Sequence, residues 1–355
     1  MLLFLLACTG QPPVEPTQAT AVEPVAAEAT VSGQVVILSG RDEQFAVRLL
    51  ELVEERYPEL DVVTDFGKDS AYLDRIGAWK GAPKADLFLS KSSAAMESLS
   101  SAGYASELDA ELLDRVPERY RGAKGDWVGL SVRARVIVTR DDVEDPPTSV
   151  ADLADPRWKG KVARTVATNG SFVGGVSTWV AELGVDRARS FLTALDANTE
   201  GQVYPKHTPA VAAVADGTAD VALVNHYYYY RHVLGKEADP AADAAALQKK
   251  IEDQPLRIIY PDAEAAGTAW NVTGAAVLKG APHAANAWAV LEVLLSDEGQ
   301  AAYAHTNREY PAVQGATAPP GVTAPSDFKW SETSLADLAA AQEQAVGLIQ
   351  EVGLE

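Results

Sequence analysis

The residues with the clearest capacity for chemistry are four consecutive tyrosines at positions 227–230, directly after a strand-like apolar segment at 220–224. A phenol that loses its proton becomes an anionic oxygen donor of the kind that hard cations prefer. The four rings cannot share one face, because residues three apart align on a helix and residues two apart align on a strand. Some rings must therefore face solvent, a cleft or a partner. Taken alone, the run is more typical of half-buried packing than of a ligand set, and both interpretations stay open.

Other residue types that commonly bind metals or carry catalysis form no recognisable motif. The sequence contains no Gly-x-Ser-x-Gly elbow, phosphate-binding loop or dinucleotide fingerprint. We therefore predict that the protein is not an enzyme; the alternative from that class is an α/β enzyme with its active site in a cleft. No two of the five histidines are four residues apart, so they form no zinc motif: His207, His226, His232, His283 and His305.

Size and charge restrict the possibilities further. The 355 residues are enough for about two domains, since single cores rarely grow beyond ~250 residues. A formal charge of -20, with no visible basic patch, argues against nucleic acid as a partner. The first interpretation of this acidity is that it favours solubility, and the second is a modest attraction for cations.

Cys8 is the only cysteine, which excludes a disulfide framework. Residues 1–8 resemble the remnant of a lipoprotein signal with its lipobox, in which Cys8 is lipidated. No basic residue precedes Cys8, so we expect an atypical signal or a start codon further upstream. The alternative is a merely apolar N-terminus. Residues 9–32 are rich in Pro, Thr, Ala and Glu without apolar periodicity, which predicts a disordered tether.

The rest of the chain alternates strand-like and helix-like segments, which predicts an α/β protein with a mostly parallel sheet. Ligands of such folds bind beyond the C-terminal ends of strands, and three loops are candidates: 39–41, 168–171 and 225–230. Strands are predicted at 34–38, 61–64, 85–89, 132–139, 161–166, 221–224, 257–260 and 274–278. Helices are predicted at 175–183, 186–195, 209–214, 284–295, 297–304 and 334–351.

Several motifs, taken in order, closely resemble those of the periplasmic ferric-iron-binding proteins of bacterial ABC importers. The resemblance covers about residues 34–315, and the tyrosine motif in register with the loops makes it specific. The motifs are Leu38–Glu43, Ala85–Ser90, Trp127–Val136, Asp155–Lys161, Ala167–Phe172, Val224–Arg231, Gly267–Leu278 and Glu309–Pro311.

The resemblance implies that Tyr227 and Tyr228 coordinate iron, whereas Tyr229 and Tyr230 pack or line a cleft. The chemistry agrees with this implication, because Fe(III) prefers anionic oxygen donors and metal binding displaces the phenol proton. Two departures matter. Positions at which some members have His and Glu ligands here hold Arg41 and Lys91, and a position at which others have a third tyrosine holds Phe172.

With two protein ligands, the remaining coordination positions would be filled by an anion such as carbonate, citrate or phosphate. Arg41 and Arg133 suit an oxyanion because a guanidinium binds it in bidentate fashion. Backbone amides of Asn169, Gly170 and Ser171 at a helix N-terminus would add donors. For either arginine a structural ion pair or a surface position is the alternative.

Two further residues are candidates for this site. Asn225 is a candidate anion-binding residue that orients the site, or else a helix cap. His207 is a possible anion contact, and His226 is expected to support or pack against the tyrosines rather than to bind the metal.

The resemblance implies a two-lobed periplasmic-binding-protein fold of the type II-like class, with the ligand in a cleft between the lobes. We expect strands near 130–138 and 264–278 to cross between them and a hinge motion to close the cleft. The expected division is lobe 1 at 33–135 plus 265–310 and lobe 2 at 136–264, with a C-terminal segment at 311–355 packing on lobe 2.

The predicted function is that of an extracytoplasmic, lipid-anchored monomer that binds ferric iron and delivers it to an ABC permease. The nearest alternative keeps the fold and changes the cargo to an oxyanion such as a phosphonate, or another small solute, without iron. The tyrosine pair is the feature that distinguishes the two.

Overall fold

The computed structural model describes residues 31–239 and 241–354, so the predictions for the lipobox with Cys8 and for nearly all of the tether lie outside the described residues. The strands are β1 (Gly33–Ser39), β2 (Leu60–Phe66), β3 (Leu87–Ser90), β4 (Val128–Arg140), β5 (Val162–Thr165), β6 (Val203–Tyr204), β7 (Val221–Asn225), β8 (Leu256–Ile259), β9 (Trp270–Val277) and β10 (Tyr310–Pro311). The helices are α1 (Val47–Arg56), α2 (Asp69–Ala78), α3 (Ser93–Ser101), α4 (Ala110–Arg115), α5 (Gly170–Leu183), α6 (Val185–Asn198), α7 (His207–Ala215), α8 (His226–Leu234), α9 (Ala244–Glu252), α10 (Ala284–Leu295), α11 (Asp297–Asn307) and α12 (Leu335–Val352).

Strand β4 joins the two halves of the fold. Its first part pairs with β9 and β10, and the pairing to β9 ends at Ala134. From Arg135 onward it pairs with β7 and β8 instead. The first sheet thus has the order β2-β1-β3-β9-β4, and the second continues from β4 through β7 and β5 to β6. The predicted crossing near 130–138 is this strand, and the chain returns to the first sheet through residues 260–269, which lead into β9.

The prediction of a mostly parallel sheet is wrong. Strands β1, β2 and β3 pair in parallel, as do β5, β6 and β7, because helices connect them. Strand β4 crosses from the first sheet to the second, and β9 follows the return of the chain to the first sheet. Both therefore run antiparallel to their neighbours. The parallel strands still deliver their C-terminal ends to one region, which is where the site lies.

Separate apolar clusters cover the outer faces of the two sheets. One places Leu49 of α1 and Leu291 of α10 against Val35 of β1. Another places Phe172 of α5 and Leu348 of α12 against Leu223 of β7. Helix α12 contacts α5, α6 and also α3. Within the part of the chain that the structure describes, no helix is both long and apolar enough to cross a bilayer.

Two local predictions need correction. Residues 225–230 are not a loop, because β7 ends at Asn225 and α8 begins at once with His226. Helix α5 begins at Gly170, five residues before the predicted start, because the Asn169 side chain caps it by accepting a hydrogen bond from the Ser171 amide (3.0 Å).

Candidate functional site

A cavity of about 140 Å³ contains most of the residues that the sequence singled out. One side, the charged wall, consists of Arg41, Asp42, Asp69, Lys91 and Glu309. The opposite side, the tyrosine wall, consists of Asn169, Gly170, Ser171, His207, Tyr227 and Tyr228. Arg133 of β4 lines the cavity with both walls.

Tyr227 and Tyr228 occupy the first turn of α8, with ring centroids 4.3 Å apart. Burial raises the pKa of both phenols, and in Tyr228 the neighbouring Tyr227 adds to the shift. Both are therefore protonated in the metal-free protein, and a bound metal must displace those protons. The pair offers two adjacent oxygen donors.

Tyr229 and Tyr230 belong to the core instead. The Tyr229 hydroxyl donates to the Leu256 carbonyl (3.3 Å), and the Tyr230 hydroxyl lies 2.7 Å from Thr323 Oγ1. Both side chains are buried and neither lines the cavity. The helix therefore divides the four tyrosines into one pair at the cavity and one pair in the packing.

His226 anchors the start of α8. Its Nδ1 accepts the Ala134 amide hydrogen (3.1 Å), which leaves Nε2–H to donate to the Arg308 carbonyl (3.0 Å). The ring is fully buried and stacks on Tyr310 at 4.4 Å. Burial lowers the pKa of His226 to about 3, so the ring is neutral near pH 7. This histidine ties the tyrosine pair to the point at which β4 changes sheets.

Arg41 on the charged wall already has internal partners. Its guanidinium donates to Glu309 Oε1 (2.8 Å), to Thr273 Oγ1 (2.7 Å) and to the Phe45 carbonyl (3.2 Å). Glu309 also accepts from the Ser131 hydroxyl. Burial opposes ionisation of Glu309, but the charges of Arg41 and Arg133 and the hydrogen bonds from Arg41 and Ser131 together outweigh it and hold the Glu309 pKa below its ordinary value. The contact present is thus the structural ion pair, and anion binding by Arg41 stays a prediction.

The other charges of this wall are less enclosed. Lys91 Nζ lies 3.2 Å from Asp42 Oδ1, and the two side chains are 43% and 61% exposed. Asp69 begins α2 and has a buried Oδ1 without a hydrogen-bond partner. Burial raises the pKa of Asp69. No group of three His, Cys, Asp or Glu side chains within residues 31–239 and 241–354 is arranged to hold a metal ion.

Arg133 has one donor without a partner. Its Nη2 donates to the carbonyls of Lys91 (2.6 Å) and Val272 (2.9 Å), whereas its buried Nε has no partner. In the loop at 169–171, the Asn169 amide donates to Val166 and the Ser171 amide to the Asn169 side chain. Gly170 is therefore the residue of this loop whose amide has no partner inside the described structure.

Three remaining residues have distinct positions. Asn225 makes no capping hydrogen bond and lies behind the cavity, where its Nδ2 donates to Ser171 Oγ (3.1 Å). His207 lines the cavity and packs on Tyr228 with centroids 4.7 Å apart, and neither ring nitrogen has a partner. Burial and the nearby charges of Arg135 and Arg133 lower its pKa well below the ordinary value. Phe172 is fully buried in the second sheet's core rather than at the cavity.

Residues 82–333 match the protein family described as bacterial extracellular solute-binding protein. The chain belongs to this family. It is 34% identical to iron uptake protein A2 of Synechocystis sp. over 247 residues, 68% of this chain and 69% of the relative. It is 32% identical to the major ferric iron-binding protein of Neisseria meningitidis over 64% of this chain and 65% of that protein.

A solved structure described as iron-bound HitA from Pseudomonas aeruginosa superposes on this solute-binding protein with a TM-score of 0.78 and 29% identity. The match covers 90% of this chain and 99% of that one. The resemblance and the two-lobed α/β fold expected from the sequence are thereby confirmed. Members of this family function outside the cytoplasm.

Sequence reasoning missed three polar residues of this solute-binding protein's site region: Asp69, Glu309 and Arg135. Asp69 follows the C-terminal end of the parallel strand β2, so the rule used for the other loops would have found it. Glu309 was noticed only as part of a motif, because its partner Arg41 is 268 residues away. Arg135 lies two residues after Arg133 and therefore on the same face of β4.

Proposed function

We propose that this solute-binding protein binds ferric iron in the cavity, with Tyr227 and Tyr228 as its protein ligands. The observation that carries the proposal is the adjacent phenol pair on the tyrosine wall, with ring centroids 4.3 Å apart. Hard trivalent iron prefers anionic oxygen donors, and the two phenols supply them once deprotonated. The names of the relatives, which describe iron uptake and ferric iron binding, support the same cargo.

A small anion completes the coordination in this proposal. Two phenolates leave iron with positive charge and open positions, and carbonate, citrate or phosphate offers oxygen donors to both. The unpartnered Nε of Arg133 supports an anion on this side of the cavity, and the exposed amide of Gly170 at the start of α5 is a further donor. His207, which lines the cavity, is the further candidate contact.

The family supports the proposed transport role. Lobe 1, at 33–135 plus 265–310, and lobe 2, at 136–264, would close over the iron about the crossing of β4, and the closed form would dock on an ABC permease. Residues 311–355 would belong with lobe 2, and lipidated Cys8 with the tether at 9–32 would hold the monomer at a membrane. The proposed role involves no catalysis.

The visible spectrum tests the cargo. Protein purified without chelators, or stripped and reloaded with ferric citrate, should show a phenolate-to-iron charge-transfer band, which stripping removes. A protein that stays colourless under these conditions and binds a phosphonate instead contradicts the iron proposal and supports an oxyanion carrier. Arg133 and the Gly170 amide would serve that carrier equally well.

A further inference from the structure

A second, smaller cavity of about 20 Å³ lies behind the site and shares Arg133 and Ser171 with the larger one. Residues of β4, α5, β7 and β9 line it, among them Arg135, Asn225 and Asn271, and no carboxylate does. Neither phenol lines it, although Tyr227 and Tyr228 both interact electrostatically with Arg135.

Arg135 is the unusual residue of this cavity. Only 4% of it is exposed. Its Nη1 lies 3.4 Å from Asn225 Oδ1, a weak contact, while Nε and Nη2 have no partner. Burial lowers the pKa of Arg135 to about 9, which still leaves it charged at pH 7. A buried cation without a counterion is strongly unfavourable, so this guanidinium calls for an anion.

A further donor lines the same cavity. Asn271 accepts from the amides of Ser93 (3.3 Å) and Val272 (2.8 Å) through Oδ1, so its Nδ2 is the end left to donate. A Cβ at Gly174 would come within 3.0 Å of this Nδ2, and glycine there avoids crowding the amide. Cationic and amide N–H groups, without any carboxylate, therefore surround the space.

The size of the cavity restricts the occupant. About 10–15 Å³ of such volume is needed to hold one water-sized particle. A cavity of about 20 Å³ therefore takes a single atom, and carbonate, phosphate or citrate is too large. Water fits the space but leaves the charge of Arg135 uncompensated.

We propose that this cavity is a halide subsite in which a chloride ion accepts hydrogen bonds from Arg135 and Asn271. The chloride serves as the counterion of Arg135 in the iron-free protein. Through Asn225, which contacts both Arg135 and Ser171, it also stabilises the loop at 169–171. The subsite does not depend on iron, so it can fail while iron binding holds, and the reverse.

The direct test is a crystal structure of the iron-free protein grown with bromide in place of chloride. The expected result is an anomalous peak at hydrogen-bond distance from the Arg135 guanidinium and Asn271 Nδ2. Water at this position with no anomalous signal overturns the proposal.

The solution test compares matched variants by chloride NMR line broadening and by thermal unfolding. Asn271→Asp keeps the oxygen that accepts from the two amides but places a carboxylate against Arg135, so excess broadening and the chloride-induced rise in melting temperature should both be lost. Arg135→Met should lose the broadening, and Arg140→Met, on the same strand outside the cavity, should retain both effects. Chloride responses in Asn271→Asp equal to the parent's, or sulfate stabilising the parent as well as chloride at equal ionic strength, contradict the subsite.

Discussion

The two walls of the cavity differ in how their polar groups are paired, although Asp69 Oδ1 on the charged wall is buried without a partner. On the charged wall, Arg41 is paired with Glu309 and Lys91 with Asp42, and Arg41 has a partner at three nitrogens. On the tyrosine wall, both buried ring nitrogens of His207 have no internal partner. Buried polar groups without partners cost free energy, so each needs an explanation, such as a bound ion, a ligand or an ordered water.

The charged wall is therefore expected to stabilise the fold, whereas the tyrosine wall is expected to bind a ligand. The Arg41–Glu309 pair joins the end of β1 to the segment before β10, which are far apart in sequence. The phenols and the loop at 169–171 instead stand at the start of helices α8 and α5. Substitutions on the charged wall should therefore act on stability, and those on the tyrosine wall on binding.

The largest effect is expected from Tyr227→Phe and Tyr228→Phe. Each keeps the ring and removes one oxygen donor, so the charge-transfer band should weaken or vanish. Ferric affinity should fall by more than the roughly 10–100-fold that follows loss of a residue that only orients a ligand. Titration with ferric citrate, followed by visible absorbance, measures both.

Tyr229→Phe is the matched control for this prediction. Its hydroxyl makes one long hydrogen bond to a backbone carbonyl away from the cavity. The variant should keep the colour and most of the affinity. If it loses as much iron as Tyr228→Phe does, the division of the four tyrosines into a binding pair and a packing pair is wrong.

Lowering the pH should reduce both iron binding and the stability of the iron-free protein, through two separate protonation events. Protons compete with iron for the phenols, so iron should be released as the pH falls. In the iron-free protein, neutral burial of His226 stabilises the fold fully above the unfolded pKa of about 6.5, and this contribution is lost as the pH falls towards about 3. At ~1.4 kcal/mol per pKa unit, the loss is at most about 5 kcal/mol.

Urea unfolding of the iron-free protein between pH 7 and pH 4 measures the second effect. The parent's free energy of unfolding should fall more steeply over this range than that of His226→Gln, which cannot take up the proton. Equal slopes for the two proteins would show that His226 is not held neutral by the fold.

On the charged wall, Arg41→Met should destabilise the protein by about 3–5 kcal/mol, because it leaves Glu309 buried without its cation. Adding Glu309→Met should recover part of that loss, since an apolar pair of similar volume is often tolerated. Urea unfolding of the single and double variants tests this. If Arg41→Met instead keeps the parent's stability and binds the anion more weakly, Arg41 is an anion-binding residue.

Local patterns were enough to predict much of the fold. Apolar runs located β1, β3 and β7 to within two residues, since each is a short buried strand. The direction of β9 was not predictable in this way, because antiparallel pairing depends on where the chain crosses between sheets. Helix α8 escaped prediction because its four consecutive tyrosines face the core on one side and the cavity on the other, which obscures the helical period.

The site residues show the same distinction between features set by local sequence and features set by distant segments. Residues that lie at the ends of strands, such as Tyr227 and Gly170, follow from motif and position. Partners that come from distant segments do not, and Arg41 with Glu309 is the clearest case. The sequence could place the Arg41 guanidinium near the site, but it could not show that this group already donates hydrogen bonds to other residues of the protein.

Arg133 lies between the two walls, and its substitution should act mainly on the anion. Arg133→Met removes the unpartnered Nε along with the charge, so ferric affinity in bicarbonate, citrate or phosphate should fall by roughly 10–100-fold. Without any of these anions, parent and variant should bind iron equally weakly. A parent that binds iron equally well with no competent anion present would reject the anion dependence.

The smallest effect is expected from Lys91→Met, although Lys91 lines the same cavity. Its ion pair with Asp42 is largely exposed on both sides, and such pairs contribute about 0–1 kcal/mol because water screens them. Stability should therefore change by less than about 1 kcal/mol in urea unfolding. Any remaining effect on ferric affinity should diminish as salt is raised, since a charge at the cavity mouth acts through a screened field. A salt-independent loss of affinity would place Lys91 in contact with the anion and would make the charged wall part of the binding surface.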